Sequence, residues 1–231
     1  FEVNVGGAMA SLAAAADCGV QRVLHASSGS VYGASGNGRE DLHEERTPLR
    51  PEGLYGISKQ AAEAAALRFA GLAGLDLVVG RLGTCFGPWE ADSGVRDTPS
   101  APLQVLRLAR RGEAVVLPRS GQRDWLYVRD AAAAIAALLD APHRHHPIYN
   151  LAAGFVWPVA DWCEQVARRH PGFRWRLAGA GDVANVDYYA SYDRASMDAR
   201  RLRADTGFAP RYDLAAAAED FHDWLADAQV G

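Results

Sequence analysis

Along this chain short apolar runs alternate with longer alanine-rich stretches of helical composition, and that rhythm predicts an α/β fold. Residues 1–18 read as a helix closed by Gly19, a residue suited to the left-handed conformation of a C-cap. A strand is predicted at 20–26, and the polar, glycine-punctuated segment Ser27-Ser28-Gly29-Ser30-Val31-Tyr32-Gly33 leaves its carboxyl end. Residues 34–53, rich in Gly, Asn, Glu and Pro, form a surface excursion, a long helix covers 55–73, and 75–82 reads as a second buried strand. Further on, helices are predicted at 103–111, 130–141, 159–170, 196–206 and 214–229, and strands at 114–117, 124–128, 148–152 and 173–177. Strands separated by helices pair in parallel through right-handed crossovers. The loops leaving their carboxyl ends then face one crevice, where ligands bind in open α/β sheets.

Composition narrows the classes. With 231 residues, 49% hydrophobic and 23% charged, the chain can build a core as one large domain or two small ones. A net charge of −4 gives no electrostatic case for nucleic acid. The alanine-rich stretches are interrupted by Asp, Arg and Glu, so no membrane span is predicted, and the cytoplasm is the default location. Cys18, Cys85 and Cys163 are widely separated and read as buried free thiols. The run His143-Arg144-His145-His146 lacks the ligand spacing of a metal site, so no metal is expected.

One residue stands apart: Lys59 is the single lysine among 24 Lys and Arg residues. It follows Tyr55 by four positions in Leu54-Tyr55-Gly56-Ile57-Ser58-Lys59, and residues at i and i+4 share a helical face. An ammonium beside a phenol favours the phenolate. Bringing a tyrosine from about 10 to near neutrality requires about 4 kcal/mol of differential stabilisation and would make it a general acid/base. The structural alternative is an exposed Tyr and Lys on a surface helix.

With Ser27 to Gly33 followed by Tyr55-Gly56-Ile57-Ser58-Lys59, the chain resembles the extended short-chain dehydrogenase/reductase family, the NAD-dependent epimerase/dehydratases. Arg81-Leu82-Gly83-Thr84-Cys85-Phe86-Gly87-Pro88 is similar to that family's RxxNxxGP segment, and Arg123 to Asp130 to its RDxxxVxD segment. Tyr149-Asn150-Leu151 is similar to its YNxG strand, and Gly207-Phe208-Ala209-Pro210 to its terminal helix-turn. The resemblance implies a Rossmann-like doubly wound parallel sheet, carboxyl-terminal part only, with a smaller α/β substrate lobe. It divides the chain into 1–88 and 124–152 in the NAD(P)-binding domain, and 89–123 and 153–231 in the substrate lobe. It also implies roles: Ser28 as the catalytic serine, Tyr55 as acid/base, and Lys59 as the residue that binds nicotinamide ribose and tunes Tyr55. Asn4, Ser27 and Arg81 would lie by the cofactor, NAD or NADP, and Ser30, Thr84 and Arg123 by the substrate, a sugar or nucleotide sugar. For Asn4 a helix-end cap, and for Arg123 a surface ion pair, are the structural alternatives. Full-length relatives of this kind are expected to be homodimers.

Departures from the family pattern refine the expectation. The family opens with a glycine-rich turn for pyrophosphate and an acidic residue for ribose. This chain carries neither and reads as a fragment lacking roughly 80 to 100 residues, with an exposed sheet edge beside 20–26. Thr84 replaces an asparagine usual in nucleotide-sugar enzymes, which weakens the case for a diphosphate-linked sugar. Gly29 and Ser30 stand where the 4,6-dehydratases carry an acidic pair, which argues against elimination. The loop with Trp89, Glu90, Asp92, Arg96 and Asp97 is placed to choose substrate, or is simply a solvated loop. The expected activity is epimerisation or dehydrogenation of a secondary alcohol. The alternative is a non-catalytic or truncated family member that binds or regulates.

Overall fold

The computed structural model describes residues 1–38, 40–91 and 98–227. Its strands are β1 (Arg22–Ser28), β2 (Asp76–Leu82), β3 (Thr84–Phe86), β4 (Val115–Leu117), β5 (Gln122–Arg123), β6 (Trp125–Tyr127), β7 (Ile148–Leu151), β8 (Trp157–Pro158) and β9 (Trp175–Leu177). Its α-helices are α1 (Ala8–Asp17), α2 (Leu54–Ala73), α3 (Ala101–Arg110), α4 (Val128–Asp140), α5 (Val159–Arg169), α6 (Arg200–Thr206) and α7 (Leu214–Asp227).

The central sheet is parallel, in the order β1-β2-β7, with Ala26 beside Gly80 and Gly80 beside Tyr149. Side chains alternate across a strand, so each strand serves two faces. Leu24, Val78 and Leu82 pack with Ala131, Ala134 and Leu138 of α4. Ser27 and Arg81 point the other way and reach Glu63 of α2. Helices therefore cover both faces, the doubly wound arrangement that the family resemblance implies.

Helix α2 lies close on its face because its buried positions are small. Ser58, Ala62, Ala66 and Ala70 recur every fourth residue, and Gly56, two residues before Ser58, is buried as well. Gly74, at φ 69°, ends the helix by donating its N–H to the Ala70 carbonyl. A second core is aromatic and centres on Phe86, whose ring meets Tyr127, Trp157 and Trp162 edge-on at 5.2–5.5 Å. Leu106 of α3, Val166 of α5 and Phe221 of α7 close around it.

Several boundaries differ from expectation for identifiable reasons. The first helix opens as a π-helix, Glu2–Gly7, with Val5 and Gly6 both donating to the Phe1 carbonyl. Helix α6 begins at Arg200 rather than at 196, because Ser196 and Met197 are bound by the Asp124 carboxylate and Leu42 forms a parallel bridge with Met197. The excursion after β1 is only partly surface, since Leu42 and Glu44 are buried. Strands β3, β5 and β8 carry two or three residues each, too few for a periodic signal. Cys18 is exposed at the end of α1, not buried, and Cys85 is half-buried. Cys163 is buried, which raises its thiol to about 12 with help from the Glu164 charge. No helix among the described residues is long and apolar enough to cross a membrane.

Asp205 ties α6 to β7. Burial alone would raise its carboxyl, but hydrogen bonds from the Tyr149 hydroxyl and the His145 N–H outweigh that and hold it at about 2. An unfolded aspartate titrates at about 3.9, so the folded state binds the proton less well. The resulting stability is complete above about pH 4 and is lost as the pH falls toward 2. In thermal melts between pH 2 and 5, Asp205→Asn is expected to flatten this loss. An unchanged acid slope would show that Asp205 does not control it.

Candidate active site

The carboxyl ends of β1 and β2 and the first turn of α2 meet at one place. Ser28 ends β1 in extended conformation, and its hydroxyl oxygen accepts the Ser30 N–H at 3.1 Å, starting a short 3-10 turn at Gly29–Val31. The Ser30 carbonyl abuts Gly56 so closely that a Cβ there would stand 2.7 Å from it. Any other residue at position 56 would push the start of α2 away from the serine turn. Tyr55 sits in that first helical turn, 51% exposed.

Lys59 lies one helical turn further on. Its ammonium is 5.9 Å from the Tyr55 ring centroid and donates to the Ala26 carbonyl at 2.9 Å, pinning α2 to β1 two residues before Ser28. Burial lowers the Lys59 pKa, against the opposing charge of Glu63. Asn4, from the π-helical turn, donates to the Ser58 hydroxyl at 2.9 Å, and that hydroxyl donates to the Tyr55 carbonyl. Asn4, Ser28, Ser30, Tyr55 and Lys59 are thus assembled by contacts among four elements.

Ser27 and Arg81, expected beside a cofactor, have their side chains committed to other partners. Arg81 is 2% exposed and holds Glu63 with two guanidinium nitrogens, Nε at 3.0 Å and Nη2 at 2.8 Å. Its Nη1 donates to the Tyr32 hydroxyl and the Glu44 carbonyl, while the Ser27 hydroxyl donates to Glu63. Tyr32 donates onward to Asn150. Burial opposes charge on Arg81, but the hydrogen bonds to Glu63 prevail and its pKa is raised. Side chains so fully engaged support the site from beneath. The physical reason is parity: positions 27 and 81 face α2, where Glu63 stands as the buried partner.

Arg123 lies in a group of arginines. Its guanidinium stacks on Trp125 at 5.4 Å and donates to the Tyr188 carbonyl. Burial, followed by the neighbouring charges of Arg194 and Arg119, brings its pKa down to about 10. Arg119 is paired with Asp193, and the buried Arg194 Nε has no hydrogen-bond partner. Such a cluster favours an anion. Thr84 is half-buried on β3 beside Trp125. Trp89 is exposed at φ 67° and packs edge-on against Trp224, whereas Asp92, Arg96 and Asp97 lie outside the described residues.

A cleft of about 550 Å³ opens beside the arginines, lined by Pro118, Arg119, Val186, Tyr188 and Tyr189. Among the described residues no group of three or more His, Cys, Asp or Glu side chains could hold a metal ion. Sequence reasoning missed Glu63, Arg119, Arg194 and Tyr189. Glu63 had one signal, a lone acid in an alanine run, but helical composition explains that equally well.

The NAD dependent epimerase/dehydratase family model matches residues 1–152. Among curated proteins, a dTDP-glucose 4,6-dehydratase of Streptomyces niveus is 28% identical over 97% of this chain and 63% of its own length. A GDP-6-deoxy-D-mannose reductase of Pseudomonas aeruginosa is 30% identical over 78% of this chain and 55% of its own. The solved structure of MoeE5 in complex with UDP-glucose and NAD superposes with a TM-score of 0.75, at 27% identity, covering 98% of this chain and 72% of that one. The chain therefore spans about three fifths of the length of the curated relatives it matches.

Proposed function

Because this chain belongs to the NAD dependent epimerase/dehydratase family, we propose that it acts with NAD or NADP on a secondary alcohol of a sugar or nucleotide sugar. The observation that carries this reading is the meeting of the Ser28–Ser30 turn with the first turn of α2, where Tyr55 is exposed and Lys59 is fixed to the strand.

The residues present fit the nicotinamide-ribose end of such a cofactor. Lys59 spends one N–H on the Ala26 carbonyl, which leaves two for ribose hydroxyls. Bound NAD or NADP would supply the hydride acceptor. Tyr55 removes the proton from the substrate hydroxyl as general base, and Ser28 donates a hydrogen bond to the reacting oxygen. Arg123, with Arg119 and Arg194 beside it, gives planar donors that suit a diphosphate. If the oxidised sugar is held and reduced from its other face the outcome is epimerisation, and if it leaves the outcome is oxidation.

Elimination is not part of the proposal. Ser30 and Gly29 carry no carboxyl group, and a Cβ at Gly29 would stand 2.8 Å from the Met197 sulfur, so an acidic side chain there requires Met197 to move. Residues 1–88 and 124–152 would hold the cofactor and 89–123 and 153–231 the substrate, in a cytoplasmic homodimer. Incubation with NAD and UDP-glucose or dTDP-glucose, with NMR of the sugar, tests the assignment. The expected product is an epimer or an oxidised sugar, and a 4-keto-6-deoxy sugar would overturn it.

A further inference from the structure

One segment of the aromatic-cored part of the molecule reaches across to the start of α2. Arg119 holds it by donating to the Ala190 and Tyr192 carbonyls. At its far end the Tyr192 hydroxyl donates to Glu52 and lies 3.2 Å from the Gly33 carbonyl. Immediately before these anchors stands Tyr189, whose hydroxyl is 3.4 Å from where a Cβ would be on Gly53. Gly53 precedes Tyr55 by two residues. Tyr189 also lines the 550 Å³ cleft beside Arg119, so one residue borders both that cleft and the segment leading into α2.

Its conformation is unusual. Tyr189 has φ 64°, a left-handed backbone that bulky residues rarely adopt, and it is 71% exposed. Asp187 holds this shape by accepting the Tyr189 N–H at 2.7 Å, and Gln104 holds Asp187 from both its N–H and its carbonyl. Burial cannot account for a strained tyrosine that stands mostly in solvent. Strain of this kind gathers where a ligand is met.

Resting on the nucleotide-sugar reading above, we infer that Tyr189 is a specificity-determining residue, a wall that contacts the sugar and not the nucleotide. Its position between Arg119 and the start of α2 corresponds to the part of the substrate between diphosphate and reacting hydroxyl. A phenol ring presents an apolar face to the C–H groups of a hexose, and its hydroxyl can meet a sugar hydroxyl.

The test compares UDP-glucose with free UDP, each titrated into the full chain and followed by tryptophan fluorescence. Tyr189→Ala is expected to raise the Kd for UDP-glucose about tenfold while leaving that for UDP unchanged, and to raise KM without lowering kcat. Tyr189→Phe, which keeps the ring, is expected to recover most of the affinity. An unchanged UDP-glucose Kd in Tyr189→Ala, or equal weakening of both ligands, overturns this inference alone. Failure of the unsubstituted protein to bind UDP-glucose overturns the parent reading and this inference with it.

Discussion

Tyr55→Phe is expected to lower turnover by about 10²- to 10⁴-fold, the range lost when a positioned acid/base is removed. The substitution deletes one oxygen and keeps the ring that lies 5.9 Å from the Lys59 ammonium. The half-exposed hydroxyl has no hydrogen-bond partner among the described residues, so its loss should leave the melting temperature unchanged. NADH affinity, read from tryptophan fluorescence, should also persist, because Lys59 keeps its bond to Ala26. Full turnover in the variant would sink the assignment of Tyr55 as the base. A fall in turnover matched by a fall in melting temperature would instead point to damage to the fold.

The second large effect concerns stability. Glu63→Ala is expected to destabilise the protein by about 3–5 kcal/mol, because it leaves the Arg81 guanidinium charged, buried and without its carboxylate. Folded domains are stable by only about 5–15 kcal/mol, so the variant should be marginal. Ser27 would lose its acceptor as well, and Ser27 precedes Ser28 on β1. In urea unfolding, the double variant Glu63→Leu with Arg81→Met should be more stable than either single one, since no uncompensated charge remains. Additive losses in the double variant would show that the pair is not coupled.

The catalytic candidates were legible because their chemistry is local. Tyr55 and Lys59 share a helical face by spacing alone, and the lone lysine drew attention to it. Ser28 was placed just beyond the predicted strand 20–26, whereas β1 begins two residues later and runs on to end at Ser28 itself. The partner of Ser27 and Arg81 was not legible, for a reason equally physical. Alternation along a strand tells that two positions share a face, but not which neighbour that face meets. Glu63 supplied the missing fact, and it lies 18 residues from Arg81 and 36 from Ser27.

Tyr189 was invisible for a related reason. It sits 135 residues along the chain from the start of the helix it approaches, in a loop without periodicity, and only its contacts give it meaning. The sequence by itself determined the parallel α/β class, the long small-faced helix after the first strand, and the shared helical face of Tyr55 and Lys59. Repeating patterns and short spacings encode these, and both survive without knowledge of distant partners. The tertiary structure alone decided which charged groups are buried in pairs, which arginines gather around Arg123, and which loop returns to the start of α2. Those outcomes depend on residues far apart in the chain being brought within hydrogen-bond range, where burial makes each unpaired charge too costly to leave alone.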